Sequence, residues 1–207
     1  MEKENLIFKE ITNKSELLEG LKLRYEIYQQ SRVAAWTRQS TDQTIEMDGY
    51  DLTSRHYIML NQDTWVPVAY MRVVQESKGR LAEAVLDIAK HFNIGIGTPL
   101  VPMPVMAYFP QAIHTIARLQ STYTKKVKLC EPGRFVISKD LRKLSFTRAF
   151  VEYVLDQNID HSSHAVLSCV NTHVPFYSQY GFRVMAGTEP CRVHKDLPEV
   201  SLLVKEI

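Results

Sequence analysis

The chain has 207 residues, 45% of them hydrophobic and 23% charged, with a formal net charge of +2. That length suits one domain with a sizeable core. The mix is ordinary for a soluble globular protein, and a charge so near zero gives no indication of nucleic acid as a partner. Cys130, Cys169 and Cys191 are widely spaced and form no C-x-x-C pair, which argues for a reducing compartment and against a disulfide framework or a zinc ribbon. Met1-Glu2-Lys3-Glu4 has no apolar signal region, so the expected location is the cytoplasm.

In chain order, residues 5–11 alternate as a first strand. Ser15 can cap a helix reaching about Gln30, with Leu17, Leu18, Leu21, Tyr25 and Tyr28 on one face. Residues 31–54 are polar and without periodicity, which predicts a long ordered loop carrying Trp36 and an acidic cluster. Residues 55–60 and 65–74 read as two strands joined by a turn at Asn61-Gln62-Asp63. A short amphipathic helix follows over 81–92.

From His91 to Ala117 there is no Asp, Glu, Lys or Arg. Pro99, Pro102, Pro104, Pro110, Gly95 and Gly97 interrupt that stretch, so a membrane-spanning helix is not expected. Two readings stand: a buried loop leading into a helix, or an apolar wall for a greasy ligand lined by Met103, Val105 and Met106, the methionines supplying flexible contact. Pro110 is placed to open a helix to about Gln120. Residues 127–137 form a strand broken at Pro132-Gly133, 139–157 a helix, 164–170 a strand and 172–180 a short helix ended by Gly181. Residues 182–186 and 200–205 supply closing strands. The order predicts an α/β chain with a mixed sheet and helices on both faces.

Against that frame some residues are out of place. Arg72 and Arg134 sit inside segments that otherwise read as buried strands, and an unpaired buried charge costs several kcal/mol. Glu46, Asp48, Asp51 and Glu131 are the candidate partners, with Arg24 as a third arginine. His91, His114, His161, His164 and His173 show no repeated ligand spacing, so no metal is expected.

Residues 128–137 run into Ser138-Lys139-Asp140-Leu141-Arg142-Lys143-Leu144-Ser145-Phe146-Thr147. The segment resembles the acyl-donor loop of the GNAT acyltransferases, of form Arg/Gln-x-x-Gly-x-Gly/Ala, where backbone N–H groups at a helix start hold the donor pyrophosphate. Here Arg142, Ser145 and Thr147 hold the spacing, but both small positions carry side chains. That departure suits a single phosphate, such as the phosphopantetheine of an acyl carrier protein, better than coenzyme A diphosphate. Phe176-Tyr177-Ser178-Gln179-Tyr180-Gly181-Phe182 looks like the late GNAT helix ending in Tyr-x-x-x-Gly-Phe, in which a tyrosine can protonate the leaving thiolate.

Arg24, Tyr28, Trp36, Glu46, Asp48, Asp51, Arg72, Glu131 and Arg134 fall in the order and approximate spacing of the acyl-homoserine-lactone autoinducer synthases. Those enzymes are GNAT-like and use acyl carrier protein; the N-acyl amino acid synthases share the scaffold and donor. The likeness covers roughly residues 20–185. Tyr28 replaces the usual phenylalanine, Gly133 stands where a serine or threonine is common, and residues 185–198 show no obvious adenosylmethionine feature. Residues 134–139 and the late helix look closer to the N-acyl amino acid synthases.

The resemblance implies one acyltransferase domain over residues 1–207 that binds no resident cofactor. It would take a fatty acyl group from acyl carrier protein, or from acyl-coenzyme A, to an amine. Glu131 is the expected base, with Glu46 second, because an attacking amine must lose a proton. Tyr177 is the expected acid, and backbone N–H groups beyond the strand break would hold the oxyanion. Arg24, Arg72 and Arg134 would order the carboxylates or clamp an acceptor carboxylate, with Tyr28, Trp36, Asp48, Asp51, Gly133 and Phe135 around the acceptor. Val136, Ser138, Arg142, Lys143, Ser145 and Thr147 would hold the donor. Lys125, Lys126, Lys128, Lys139, Arg142, Lys143 and Arg148 form a basic group fit to dock an acidic carrier. The alternatives are an autoinducer synthase using adenosylmethionine, a coenzyme A-dependent acetyltransferase, and a non-catalytic lipid- or carrier-binding module.

Overall fold

The computed structural model describes residues 5–31, 44–109, 113, 114, 116, 128–142, 144–158, 161–192 and 198–207. Seven strands form one sheet: β1 Leu6–Glu10, β2 Ser54–Asn61, β3 Pro67–Gln75, β4 Leu129–Ile137, β5 His164–Val170, β6 Arg183–Val184 and β7 Val200–Glu206. The order across it is β1-β2-β3-β4-β5-β7-β6. All neighbours are antiparallel except β4 and β5. The sheet is therefore mixed, as the element order predicts.

Alternation along the strands builds two cores. Tyr57, Met59, Met71 and Val73 face helix α4, Leu144–Asp156, through Phe150, Val151 and Val154. Ile58, Leu60 and Tyr70 point the other way, onto Leu17 and Leu21 of helix α1, Lys14–Gln29, and Val85 and Ile88 of helix α2, Ala82–His91. A third cluster gathers Val105 and the short helix α3, Pro104–Tyr108, against Leu129, Val166, Leu202 and Val204. Helix α5, Val174–Ser178, leads to Gly181, whose φ of +84° is the left-handed turn that glycine supplies.

Several boundaries differ from expectation for identifiable reasons. Asn13, not Ser15, caps α1, its side chain accepting from the Glu16 N–H at 3.0 Å. The acidic loop is not wholly irregular: Asp48 caps a 3-10 helix, Gly49–Thr53, with reciprocal bonds between Asp48 and Asp51. The long helix expected from Lys139 is divided into a 3-10 turn, Lys139–Leu141, and α4. Pro104 opens a helix; of the expected 110–120 helix only Ile113, His114 and Ile116 are described, and they are helical. Trp36, Lys125, Lys126 and Lys143 lie outside the described residues. Among those described, no helix is long and apolar enough to cross a membrane.

Two features of β4 shape the middle of the sheet. It pairs with β5 only at Leu129–His164 and Cys130–Ala165, so nearly all of its length is unpaired on that side. On the other side its register with β3 slips: Gly133 pairs Arg72 and Val136 pairs Tyr70, leaving Arg134 and Phe135 opposite Met71 alone. This is a β-bulge, and Pro132, which pairs with Val73 before it, lies where β4 has no ladder to β5. Arg134 sits at its turn with φ of +53°, a left-handed conformation that costs a non-glycine residue about 1 kcal/mol or more.

Candidate active site

The bulge and the split between β4 and β5 open onto a cavity of about 830 Å³. Its β3–β4 wall carries Arg72, Glu131, Gly133, Arg134 and Phe135, and its β5 wall carries Ser168, Cys169 and Val170. Tyr28 of α1, Asp48, Tyr50, and Pro104 and Tyr108 of α3 line it too, as do Thr172, His173, Tyr177 and Arg192.

Behind the β3–β4 wall lies the arginine–carboxylate cluster. Arg24, fully buried, clamps Asp51 through both Nη atoms at 2.9 Å and also pairs with Glu46. Its Nε and Nη2 donate to the Glu46 carbonyl at 3.1 and 2.6 Å. Arg72 grips both oxygens of Asp48 at 2.5 and 2.9 Å and reaches Asp51 at 2.9 Å. Arg134 donates to Asp48 at 2.9 Å and lies 3.7 Å from Glu46, its guanidinium 5.9 Å from the centre of the Tyr28 ring. Three cations thus meet three carboxylates, Glu46, Asp48 and Asp51. Burial opposes the charge on Asp51, but the arginines Arg24 and Arg72 outweigh it and hold its pKa well below the carboxylate range. For Arg134, Glu46 and Asp48 do the same in the other direction.

Glu131 is the fourth carboxyl and stands outside that balance. It is 4% exposed and accepts the backbone N–H of Val105 at 2.9 Å. Burial dominates its environment, over the opposing pull of the Val105 N–H, Arg72 and Arg134, and pushes its pKa up to about 8. A carboxyl that loses its proton near neutral pH inside a cavity is suited to proton transfer. Tyr177, half-buried on the same cavity, has its pKa pushed far up by burial, so its hydroxyl keeps its proton at neutral pH.

The other expected positions divide. Phe135 lines the cavity and stacks towards Phe150, with ring centres 6.1 Å apart. Ser138 ends β4, its N–H bound to the Val68 carbonyl at 2.8 Å, and Arg142 donates to the Ile137 carbonyl at 3.3 Å. Ser145 is exposed on the first turn of α4 and Thr147 is buried. Val136 faces α1 within the second core, so its side chain is on the opposite side of the sheet from α4. Met103, Val105 and Met106 require a correction: they pack into the third core and do not line the cavity, because the first turn of α3 aims them inward at Leu129 and Val166. Pro104 and Tyr108 are the residues of α3 that face it.

Two residues that carry no sequence signal complete the cluster. The Tyr70 hydroxyl accepts from Arg24 Nη1 at 3.3 Å and lies 2.7 Å from His56 Nδ1, while His56 Nε2 lies 3.2 Å from the Asp51 carbonyl. A carbonyl can only accept, so Nε2 carries the proton and Nδ1 accepts from Tyr70. Burial lowers the His56 pKa to about 4, keeping the ring neutral. Gly20 lets α1 approach here, since a Cβ on it would come within 2.7 Å of the Tyr70 ring. The period-2 pattern marks Tyr70 and His56 as buried, but nothing in it says that they meet.

Residues 92–203 match the family model for the N-acyl amino acid synthase FeeM. The solved FeeM, an N-acyl amino acid synthase from uncultured soil microbes, superposes with a TM-score of 0.63 at 11% identity, over 98% of this chain and 91% of that one. BjaI, a coenzyme A-dependent acyl-homoserine lactone synthase, gives 0.59 at 18% identity over 98% and 84%. The acyl-homoserine lactone synthase LasI gives 0.56 at 16% identity over 98% and 90%. No curated protein matches the chain in sequence. The structural likenesses establish a GNAT-like acyltransferase fold. The family match spans more than half of the 207 residues, and with it the chain belongs to the FeeM family of N-acyl amino acid synthases, as an amide-forming acyltransferase.

Proposed function

We propose that the protein transfers a fatty acyl group from acyl carrier protein to the amine of an amino acid or an amino-acid-derived acceptor. The observation that carries this reading is Glu131: a buried carboxyl with its pKa near 8, on the cavity wall, separated from the β4 bulge by two residue pairs. The amine nitrogen attacks the thioester carbonyl and passes its proton to the Glu131 carboxylate. Negative charge then gathers on the former carbonyl oxygen, where backbone N–H groups of the bulged strand are the donors in reach. Collapse breaks the carbon–sulfur bond, and Tyr177 supplies the proton to the departing thiolate. Arg24, Arg72 and Arg134 hold the carboxylates that build this wall, with Asp48 joining the two arginines that reach the cavity.

Carrier protein is favoured over coenzyme A by the side chains at Ser145 and Thr147, which crowd a diphosphate more than a single phosphate. The test is direct. Purified protein is mixed with decanoyl carrier protein or decanoyl-coenzyme A and a pool of the common amino acids, and the products are weighed by mass spectrometry. Release of N-decanoyl amino acids, faster from the carrier, is the expected outcome. An acyl-homoserine lactone formed only when adenosylmethionine is added would replace this reading with autoinducer synthesis.

A further inference from the structure

We propose that Tyr50 is a catalytic residue of the acyl transfer: its hydroxyl oxygen takes one N–H of the attacking amine while Glu131 takes the other, and the pair aims the nitrogen lone pair at the thioester. The inference rests on the acyl-transfer reading above. A base alone leaves that direction open, because a neutral amine has two N–H bonds and can turn about the one that Glu131 holds. The rate depends on alignment as well as on proton removal. A second acceptor beside Glu131 fixes the nitrogen.

Tyr50 lines the cavity with Glu131 but comes from the 3-10 helix, Gly49–Thr53, whereas Glu131 comes from β4. Its backbone is held at three points. The N–H donates to Asp48 Oδ1 at 2.9 Å, and the carbonyl accepts from Ser54 Oγ at 2.7 Å and Thr53 Oγ1 at 3.2 Å. Gly49, directly before it, has no room for a Cβ against the Gly97 carbonyl. The Arg72 guanidinium lies 5.9 Å from the centre of the Tyr50 ring, and Arg72 is itself clamped by Asp48. The hydroxyls of Tyr57 and Tyr70 are bound inside the protein, to Asn158 and His56. That of Tyr50 bonds to no described residue. Burial and then the charge of Glu131 push its pKa up to about 12, so it keeps its proton at neutral pH and offers the lone pairs of a neutral oxygen near the carboxyl. Tyr177, raised by burial and then by Cys169, Tyr28 and Tyr180, faces the β5 side instead. One tyrosine thus serves the amine and the other the thiolate. As the carbon–nitrogen bond forms, one N–H proton passes to Glu131. The carbon–sulfur bond then breaks, Tyr177 protonates the thiolate, and the remaining amide N–H rests on the Tyr50 oxygen.

The experiment uses decanoyl carrier protein and two acceptors: the amino acid that gives the highest amide yield, and its N-methyl derivative, which has one N–H fewer to share between Tyr50 and Glu131. The wild type should prefer the primary amine. Tyr50→Phe keeps the ring beside Arg72 and should melt as the wild type does. Its kcat with the primary amine should fall about 10-fold, the scale of one hydrogen bond lost at the reacting centre, while the rate with the N-methyl acceptor holds or rises, so the preference narrows. The fall in rate below about pH 8 should persist in Tyr50→Phe, because the base is intact. Disappearance of that limb would make Tyr50 a support for Glu131 and overturn the assignment. A variant that uses the N-methyl acceptor no better, relative to the primary amine, than the wild type does overturns it too, and leaves acyl transfer standing. No amide from either acceptor in the wild type would instead remove the acyl-transfer reading, and this inference with it.

Discussion

Arg72 and Arg134 converge on a single atom: each donates to Asp48 Oδ2 at 2.9 Å, one from β3 and one from the bulge of β4. The two strands are neighbours, so their arginines would repel without the carboxylate between them. Asp48 brings that carboxylate in from the cap of the 3-10 helix, where its other oxygen also accepts the Tyr50 N–H at 2.9 Å. One side chain thus ends a loop, joins two strands and borders the cavity.

Removing one partner from such a network leaves the others buried and unmatched. Arg72→Ala should lower stability by about 3–5 kcal/mol, the scale for a broken buried pair, and abolish acyl transfer. Urea denaturation monitored by far-UV circular dichroism measures the loss. A midpoint within error of the wild type would show that Asp48 and Asp51 do not need Arg72.

Glu131→Gln should keep the fold and reduce the acyl-transfer rate by about 100-fold or more, as for a missing general base. In the wild type the rate should fall as pH drops below about 8, as Glu131 takes up a proton. That limb should be absent in Glu131→Gln. Stability gives an independent check. The folded pKa of Glu131 is raised from its ordinary 4.5 to about 8, so the folded state holds the extra proton in that window. The Glu131 contribution to stability is therefore present below about pH 4.5 and lost as pH rises through 8, and the glutamine variant should lack this component.

Tyr70→Phe removes one hydroxyl from between Arg24 and His56 while keeping the ring that packs on Gly20. The expected cost is about 1–3 kcal/mol, the range for a buried polar group left unsatisfied, read from thermal melting. His56 has the opposite pH signature to Glu131. Its folded pKa is lowered from 6.5 to about 4, so its contribution is present above pH 6.5 and lost as pH falls towards 4. In His56→Asn the decline of stability over that window should be shallower than in the wild type.

Lys139 is exposed just beyond β4, near the start of α4, whereas Lys128 is exposed at the other end of β4, beside Ser163. If Lys139 docks an acidic carrier, Lys139→Glu should raise the KM for acyl carrier protein several-fold, and more at low salt than at high salt. The rate with acyl-coenzyme A should change little. Steady-state kinetics at two ionic strengths separates the two donors, and a uniform effect on both would count against carrier docking.

Much of this protein is legible along the chain because strand alternation and helix periodicity are local properties of the sequence. The strands from Leu6 to Val200 begin within about two residues of where the pattern places them, and the arginines at 72 and 134 declare themselves because a buried strand cannot carry a bare charge. The glycine after the late helix is equally local, since only its φ of +84° is needed to end it. What the sequence does not contain is which side of an element a short irregular segment presents. Met103 and Val105 are apolar and lie beside prolines in either reading; the packing of α3 on Leu129 and Val166 turned them into core and left Pro104 and Tyr108 on the cavity. The bulge is likewise invisible in composition, yet it sets Arg134 opposite Asp48, and the burial that raises Glu131 exists only once α3 closes over β4. His56 and Tyr70 became part of the site for the same reason: residues from distant parts of the chain acquire shared chemistry only when the sheet brings them within hydrogen-bonding reach.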